Sequence, residues 1–191
     1  MSRHFLSKLA GFASGPGRLG SKSAIVDHKG GYTYSRLLRA SHSFAETSIK
    51  PNLGSANPAG PESAESTKVA YLVEKDATYV VAQLASWQAG TCAIPLSTGS
   101  TQAEIEYYLQ DSGASLVVCS PQYADAVRGI PNGPPVLDIT HTALEGRTED
   151  QALNETIGGV DSQDADALIV YTSGTTGKPK GVVHTHASLQ A

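Results

Sequence analysis

Cysteine is nearly absent from this chain: two in 191 residues, Cys92 and Cys119, at no metal-ligand spacing. That excludes a disulfide framework and fits a reducing compartment, with both thiols read as core. Basic residues do not outnumber acids. Lys plus Arg total 14 against 18 Asp plus Glu, a net charge of −4. Nucleic acid is therefore not expected as the main partner, because phosphate backbones select basic surfaces. No apolar run approaches the roughly 20 residues that cross a bilayer, so no transmembrane segment is expected. Charged residues are only 17% and hydrophobic ones 40%, which points to a packed globular chain, with length for one domain and not comfortably two.

Acids are also missing from the first 26 residues, which contain Arg3, Lys8, Arg18, Lys22 and repeated serines. Residues 1–22 have the composition of a transit peptide, which points to the mitochondrial matrix. Gly15-Pro16-Gly17 would break the amphipathic helix such a peptide needs, so an ordinary flexible N-terminus in a cytoplasmic protein is the alternative.

From Ser23 onward the pattern becomes regular. Ala24–Val26 and Tyr32–Tyr34 predict a hairpin with Gly30-Gly31 in its turn. Leu37, Leu38, Phe44, Ala45 and Ile49 predict a helix capped by Thr33. Residues 50–66 are rich in Pro, Gly, Ser, Asn and Ala and read as a loop insertion. Short apolar strands then alternate with helices. Val69–Val73, Cys92–Leu96, Leu116–Cys119, Val136–Ile139 and Ala167–Tyr171 are the expected strands. Asp76–Ala89 is an expected helix, largely buried, with Asp76, Gln83 and Ser86 as its polar stripe. A second helix has Thr101 and Glu104 at capping-box spacing and an apolar face of Ile105, Tyr108 and Leu109; a third starts at Pro121 and ends near Arg128. The fold class is α/β, with a mostly parallel sheet and ligands expected beyond the carboxyl ends of its strands. Residues 145–166 carry seven acids against Arg147 alone and read as a solvated linker.

The chemistry concentrates in Tyr171-Thr-Ser-Gly-Thr-Thr-Gly-Lys-Pro-Lys-Gly-Val-Val-His-Thr-His186. Gly174 and Gly177 let the backbone bend close to a ligand, and successive N–H groups in such a loop point at an anion. Thr172, Ser173, Thr175 and Thr176 add hydroxyls; Lys178 and Lys180 add charge. A buried strand in front and Gly181–His184 behind make this a hairpin rather than a linker. It is not a Walker A loop: Gly174 and Gly177 are too close together, and Pro179 stands where that motif needs a hydroxyl. His184 and His186 share a strand face, but two histidines without a third ligand make no metal site; one partly exposed and one packing histidine are expected. Trp87 reads as core.

This string resembles the phosphate-binding signature of the AMP-forming adenylating superfamily, Tyr-Thr-Ser-Gly-Thr-Thr-Gly-x-Pro-Lys-Gly-Val, and matches every fixed position from Tyr171 to Val182. The likeness runs from Ser23 to the end, including Ala93-Ile-Pro-Leu96 and Ala103–Ser112. Within the superfamily, Ala82-Gln-Leu-Ala-Ser-Trp87 and Gly181-Val-Val-His-Thr-His186 look most like malonyl-CoA synthetases. The resemblance implies an acid–thiol ligase. It would join a carboxylate, malonate by subfamily, to ATP as an acyl-adenylate and then transfer the acyl group to coenzyme A. By resemblance Thr172, Ser173, Gly174, Thr175, Thr176, Gly177 and Lys178 line the β- and γ-phosphates. The resemblance also implies that Lys180, the catalytic candidate, is the family's loop lysine, which contacts phosphate or holds the loop, and that Mg2+ would bridge the phosphates. Residues 23–191 then form the first, incomplete part of the large domain. The family's acyl pocket, ribose-binding aspartate and lid lysine all follow the signature, so the chain alone is expected to be inactive. A non-catalytic nucleotide-binding or interaction fragment, and a medium- or long-chain fatty-acyl-CoA synthetase, are the alternatives.

Overall fold

The computed structural model describes residues 19–53, 67–144, 163–173 and 177–191. Two strands, β1 (Ser23–Asp27) and β2 (Gly30–Thr33), pair antiparallel as a small ribbon. The tight turn falls on His28-Lys29 rather than on the glycines. Gly30 already pairs with Asp27, whose Oδ1 accepts the Lys29 and Gly30 amides at 2.8 and 3.1 Å. An aspartate closing the turn through its side chain does what the glycine pair was expected to do.

Helix α1 (Tyr34–Phe44) starts where expected, with the Thr33 hydroxyl accepting the Arg36 N–H at 3.2 Å. It widens into a π-helical turn over Ala45–Ile49 and keeps its helical sense through Lys50–Asn52. The loop expected over 50–66 therefore begins later, because Ile49 and Leu53 are buried and hold that last turn down. Residues 54–66 lie outside the described residues, as does most of the acidic linker.

A six-stranded sheet follows. Its strands are β3 (Lys68–Leu72), β4 (Cys92–Pro95), β5 (Leu116–Cys119), β6 (Val136–Asp138), β7 (Asp166–Thr172) and β8 (Lys180–Thr185), in spatial order β6-β5-β3-β4-β7-β8. All neighbours are parallel except β7 and β8. Helices α2 (Ala77–Gln88), α3 (Gln102–Ser112) and α4 (Pro121–Arg128) supply the crossovers. Alternate strand residues feed two cores. Val69, Tyr71, Ala93 and Val118 pack with α1 and α2 on one face; Ala70, Ile94, Val117 and Cys119 pack with α3 and α4 on the other. The sheet is covered on both faces, which is why its central strands are continuously apolar.

Buried side chains lock this arrangement. Trp87 Nε1 donates to the Ala167 carbonyl at 2.6 Å, tying α2 to β7. Ser86 does not join a polar stripe; it is fully buried and returns its hydroxyl to Ala82 O at 2.9 Å. Burial pushes the Cys92 and Cys119 thiols up to about 12, so both behave as small core side chains. Asp76 caps α2 through the Thr78 amide and pairs with Lys29 Nζ at 2.8 Å, pinning the β1–β2 ribbon to the sheet. Among the described residues no helix is long and apolar enough to cross a membrane.

Candidate phosphate site

The order of the strands places the site. From β3 the chain crosses through α2 to β4 on one side, then through α3 to β5 on the other. Strand β7 adds beside β4, and its carboxyl end opens into the loop whose return arm is β8. Such a reversal leaves a crevice at the strand ends, where open α/β sheets bind ligands. The β7–β8 ladder runs from Asp166↔Thr185 to Thr172↔Lys180. Ser173 and Gly177–Pro179, the described residues of the loop, thus lie beyond the last ladder pair.

Thr172 ends β7, and its hydroxyl lies 3.5 Å from the Lys180 carbonyl. Ser173 follows, exposed. Gly177, Lys178 and Lys180 are on the return arm, also exposed. Gly174, Thr175 and Thr176 lie outside the described residues. Among the described residues, nothing lies within 4 Å of where a side chain would begin at Gly177. Gly181 is different: a Cβ there would stand 3.0 Å from Ile169 Cγ2 and 3.3 Å from Tyr171 Cζ, so the close cross-strand packing favours glycine.

Helix α3 grips both arms of this hairpin. Tyr171 Oη donates to Asp111 Oδ2 at 2.8 Å, and its ring stacks on Tyr108 with centroids 4.5 Å apart. Tyr107 Oη donates to the Pro179 carbonyl at 2.9 Å, and the Lys178 ammonium stands 5.1 Å above the Tyr107 ring. Burial, reinforced by the Asp111 charge, raises the Tyr171 phenol above its ordinary value, and the same two causes raise Tyr107. Both hydroxyls remain donors at neutral pH. Tyr107, Asp111, Lys178, Pro179 and Lys180 border an open groove of about 440 Å³.

Neither lysine has a carboxylate partner among the described residues. Two lysine ammonium groups without a carboxylate partner among the described residues, together with the Thr172 and Ser173 hydroxyls, suit a polyphosphate. Tyr107 and Asp111 were not singled out from sequence. Their i, i+4 spacing places both on one helix face, but which face met the loop depended on the crossover. The histidines do not converge on a ligand site. His184 is half-buried, whereas His186 is 1% exposed and packs edge-on against Trp87 at 5.9 Å. No group of three or more His, Cys, Asp or Glu side chains among the described residues is arranged to hold a metal.

The family profile described as "AMP-binding enzyme" matches residues 13–191. This chain belongs to the AMP-binding enzyme family. Mouse malonate–CoA ligase ACSF3, mitochondrial, is 34% identical over 174 residues, covering 90% of this chain and 29% of that protein. Malonate–CoA ligase of Arabidopsis thaliana is 33% identical over 138 residues, covering 68% of this chain and 22% of that protein. The ATP-bound crystal structure of MatB from Rhodopseudomonas palustris superposes with a TM-score of 0.72 at 27% identity, covering 97% of this chain and 35% of that one. The chain therefore spans under a third of the length of the curated relatives it matches. The AMP-binding resemblance and the mostly parallel α/β fold expected from the sequence both hold.

Proposed function

We propose that this chain is the phosphate-binding part of an AMP-forming acid–CoA ligase that activates malonate. The observation that carries the reading is the β7–loop–β8 hairpin. It carries the complete signature from Tyr171 to Val182, and its two lysines, neither with a carboxylate partner among the described residues, border an open groove. Thr172, Ser173, Gly174, Thr175, Thr176, Gly177 and Lys178 would bind the β- and γ-phosphates of ATP. Lys180 would meet the developing charge as pyrophosphate leaves. Preorganised donors at that position stabilise charge that grows only in the transition state. The magnesium would arrive with the nucleotide and be held by its phosphates. Coenzyme A would then take the acyl group from the adenylate. Malonate as substrate is supported by the identity to malonate–CoA ligases, and mitochondrial residence by the ACSF3 relatives together with the acid-free N-terminus.

The 191 residues by themselves bind nucleotide without completing the reaction on this reading. ATP–pyrophosphate exchange tests it. The chain alone is expected to give no malonate-dependent exchange, and exchange above background would refute its inactivity. A polypeptide carrying these residues at full ligase length is expected to prefer malonate to long-chain fatty acids; the reverse preference would remove malonate as the substrate.

A further inference from the structure

The described part of the phosphate loop beyond the β-ladder is held from outside at one point. Pro179 has no N–H to offer β7, and the ladder has already ended at Thr172↔Lys180. Among the described residues, the hydrogen bond that fastens the Lys178-Pro179 segment comes from Tyr107 Oη at 2.9 Å. The same side chain places its ring 5.1 Å beneath the Lys178 ammonium. A lysine has four rotatable bonds and a compact charge, so an unsupported one samples many positions. A ring face beneath the ammonium favours one of them. Four residues further along α3, Asp111 accepts the Tyr171 hydroxyl and holds the opposite arm. One face of α3 thus sets both arms of the loop.

We propose that Tyr107 is a positioning residue for phosphate recognition: it fixes the Pro179 carbonyl and sets where the Lys178 ammonium stands to meet the nucleotide's terminal phosphates. The inference rests on the phosphate-loop reading above. It predicts a signature that general loosening of the fold would not produce. Ligands with β- and γ-phosphates should depend on Tyr107, whereas AMP, which lacks them, should not.

The test titrates MgATP, magnesium pyrophosphate and AMP into the 191-residue chain and its Y107F, Y107L, K178M and Y107L/K178M variants. Y107F keeps the ring and loses the hydrogen bond; MgATP and pyrophosphate should bind about fivefold more weakly. Y107L loses both and should cost about tenfold or more. AMP should stay within about twofold throughout, and the double variant should bind MgATP no more than about twofold more weakly than K178M alone, because the two residues act as a unit. In the nucleotide-free chain, the Lys178 ε-methylene protons should resonate upfield in wild type and Y107F, and at ordinary lysine positions in Y107L. Unchanged MgATP affinity in both Tyr107 variants would overturn the inference, as would parallel loss of AMP binding or an additive double variant. A wild-type chain that shows the upfield lysine protons but binds no MgATP would instead overturn the phosphate-loop reading, and this role with it. Should Y107L fail to fold, Y107F and the wild-type proton shifts decide the matter.

Discussion

Gly181 faces Tyr171 across the β7–β8 ladder, and a methyl group there would stand 3.0 Å from Ile169 Cγ2, so its neighbours would have to shift. Gly181→Val should destabilise the chain by about 1–3 kcal/mol, since it forces Tyr171 and Ile169 off their seats. Chemical denaturation of the variant measures this, and wild-type stability would refute the packing account. Asp76 gives a second residue-scale expectation. Burial opposes its ionisation, but hydrogen bonds from Lys29 and Thr78 outweigh that and hold its carboxyl at about 2. A folded value below the ordinary carboxylate range means stability that is present above pH ~4 and is lost as pH falls toward 2. The contribution is about 2 kcal/mol. Lys29 is raised by the same pairing, so its share is present at neutral pH and lost only on strong alkalisation. Asp76→Asn keeps the cap and should flatten the acid limb of the unfolding midpoint against pH; an unaltered limb would exclude the pair as its source.

At the scale of elements, local chemistry was legible wherever a strand or helix carried its own start and stop signals. Thr101 and Glu104 form both halves of the capping box. Pro121 opens α4 and Arg128 closes it. The alternation of strands and helices gave the parallel sheet, and Gly181–His184 read as a returning strand. The misses have particular causes. The β1–β2 turn was assigned to its glycines because glycine is the usual solution, whereas Asp27 closes it by accepting two amides. The helix expected through Ile49 continues past Pro51 to Asn52 instead of giving way to a loop at Lys50. A proline in the first turn of a new helical segment removes no hydrogen bond. Ser86 was set on a polar stripe because a hydroxyl counts as polar; satisfied by Ala82 O, it packs as a small core residue.

At the scale of the molecule, β8 is the outer strand of the sheet among the described residues, with Val182 and Val183 42% and 51% exposed. An apolar edge strand with unpaired backbone groups recruits other strands. The 191-residue chain should therefore associate with rising concentration in sedimentation velocity. Lysine at Val182 or Val183 should reduce that association, and a wild-type chain that stays monomeric at high concentration would refute it. The sequence by itself determined the Tyr171–Val182 signature, its family and the repeating strand–helix order, because each rests on residues adjacent in the chain. Tertiary structure decided what holds the loop. Tyr107 lies 72 residues before Pro179 and Asp111 lies 60 before Tyr171, and only the crossover of α3 brings their hydroxyl and carboxylate within hydrogen-bond reach.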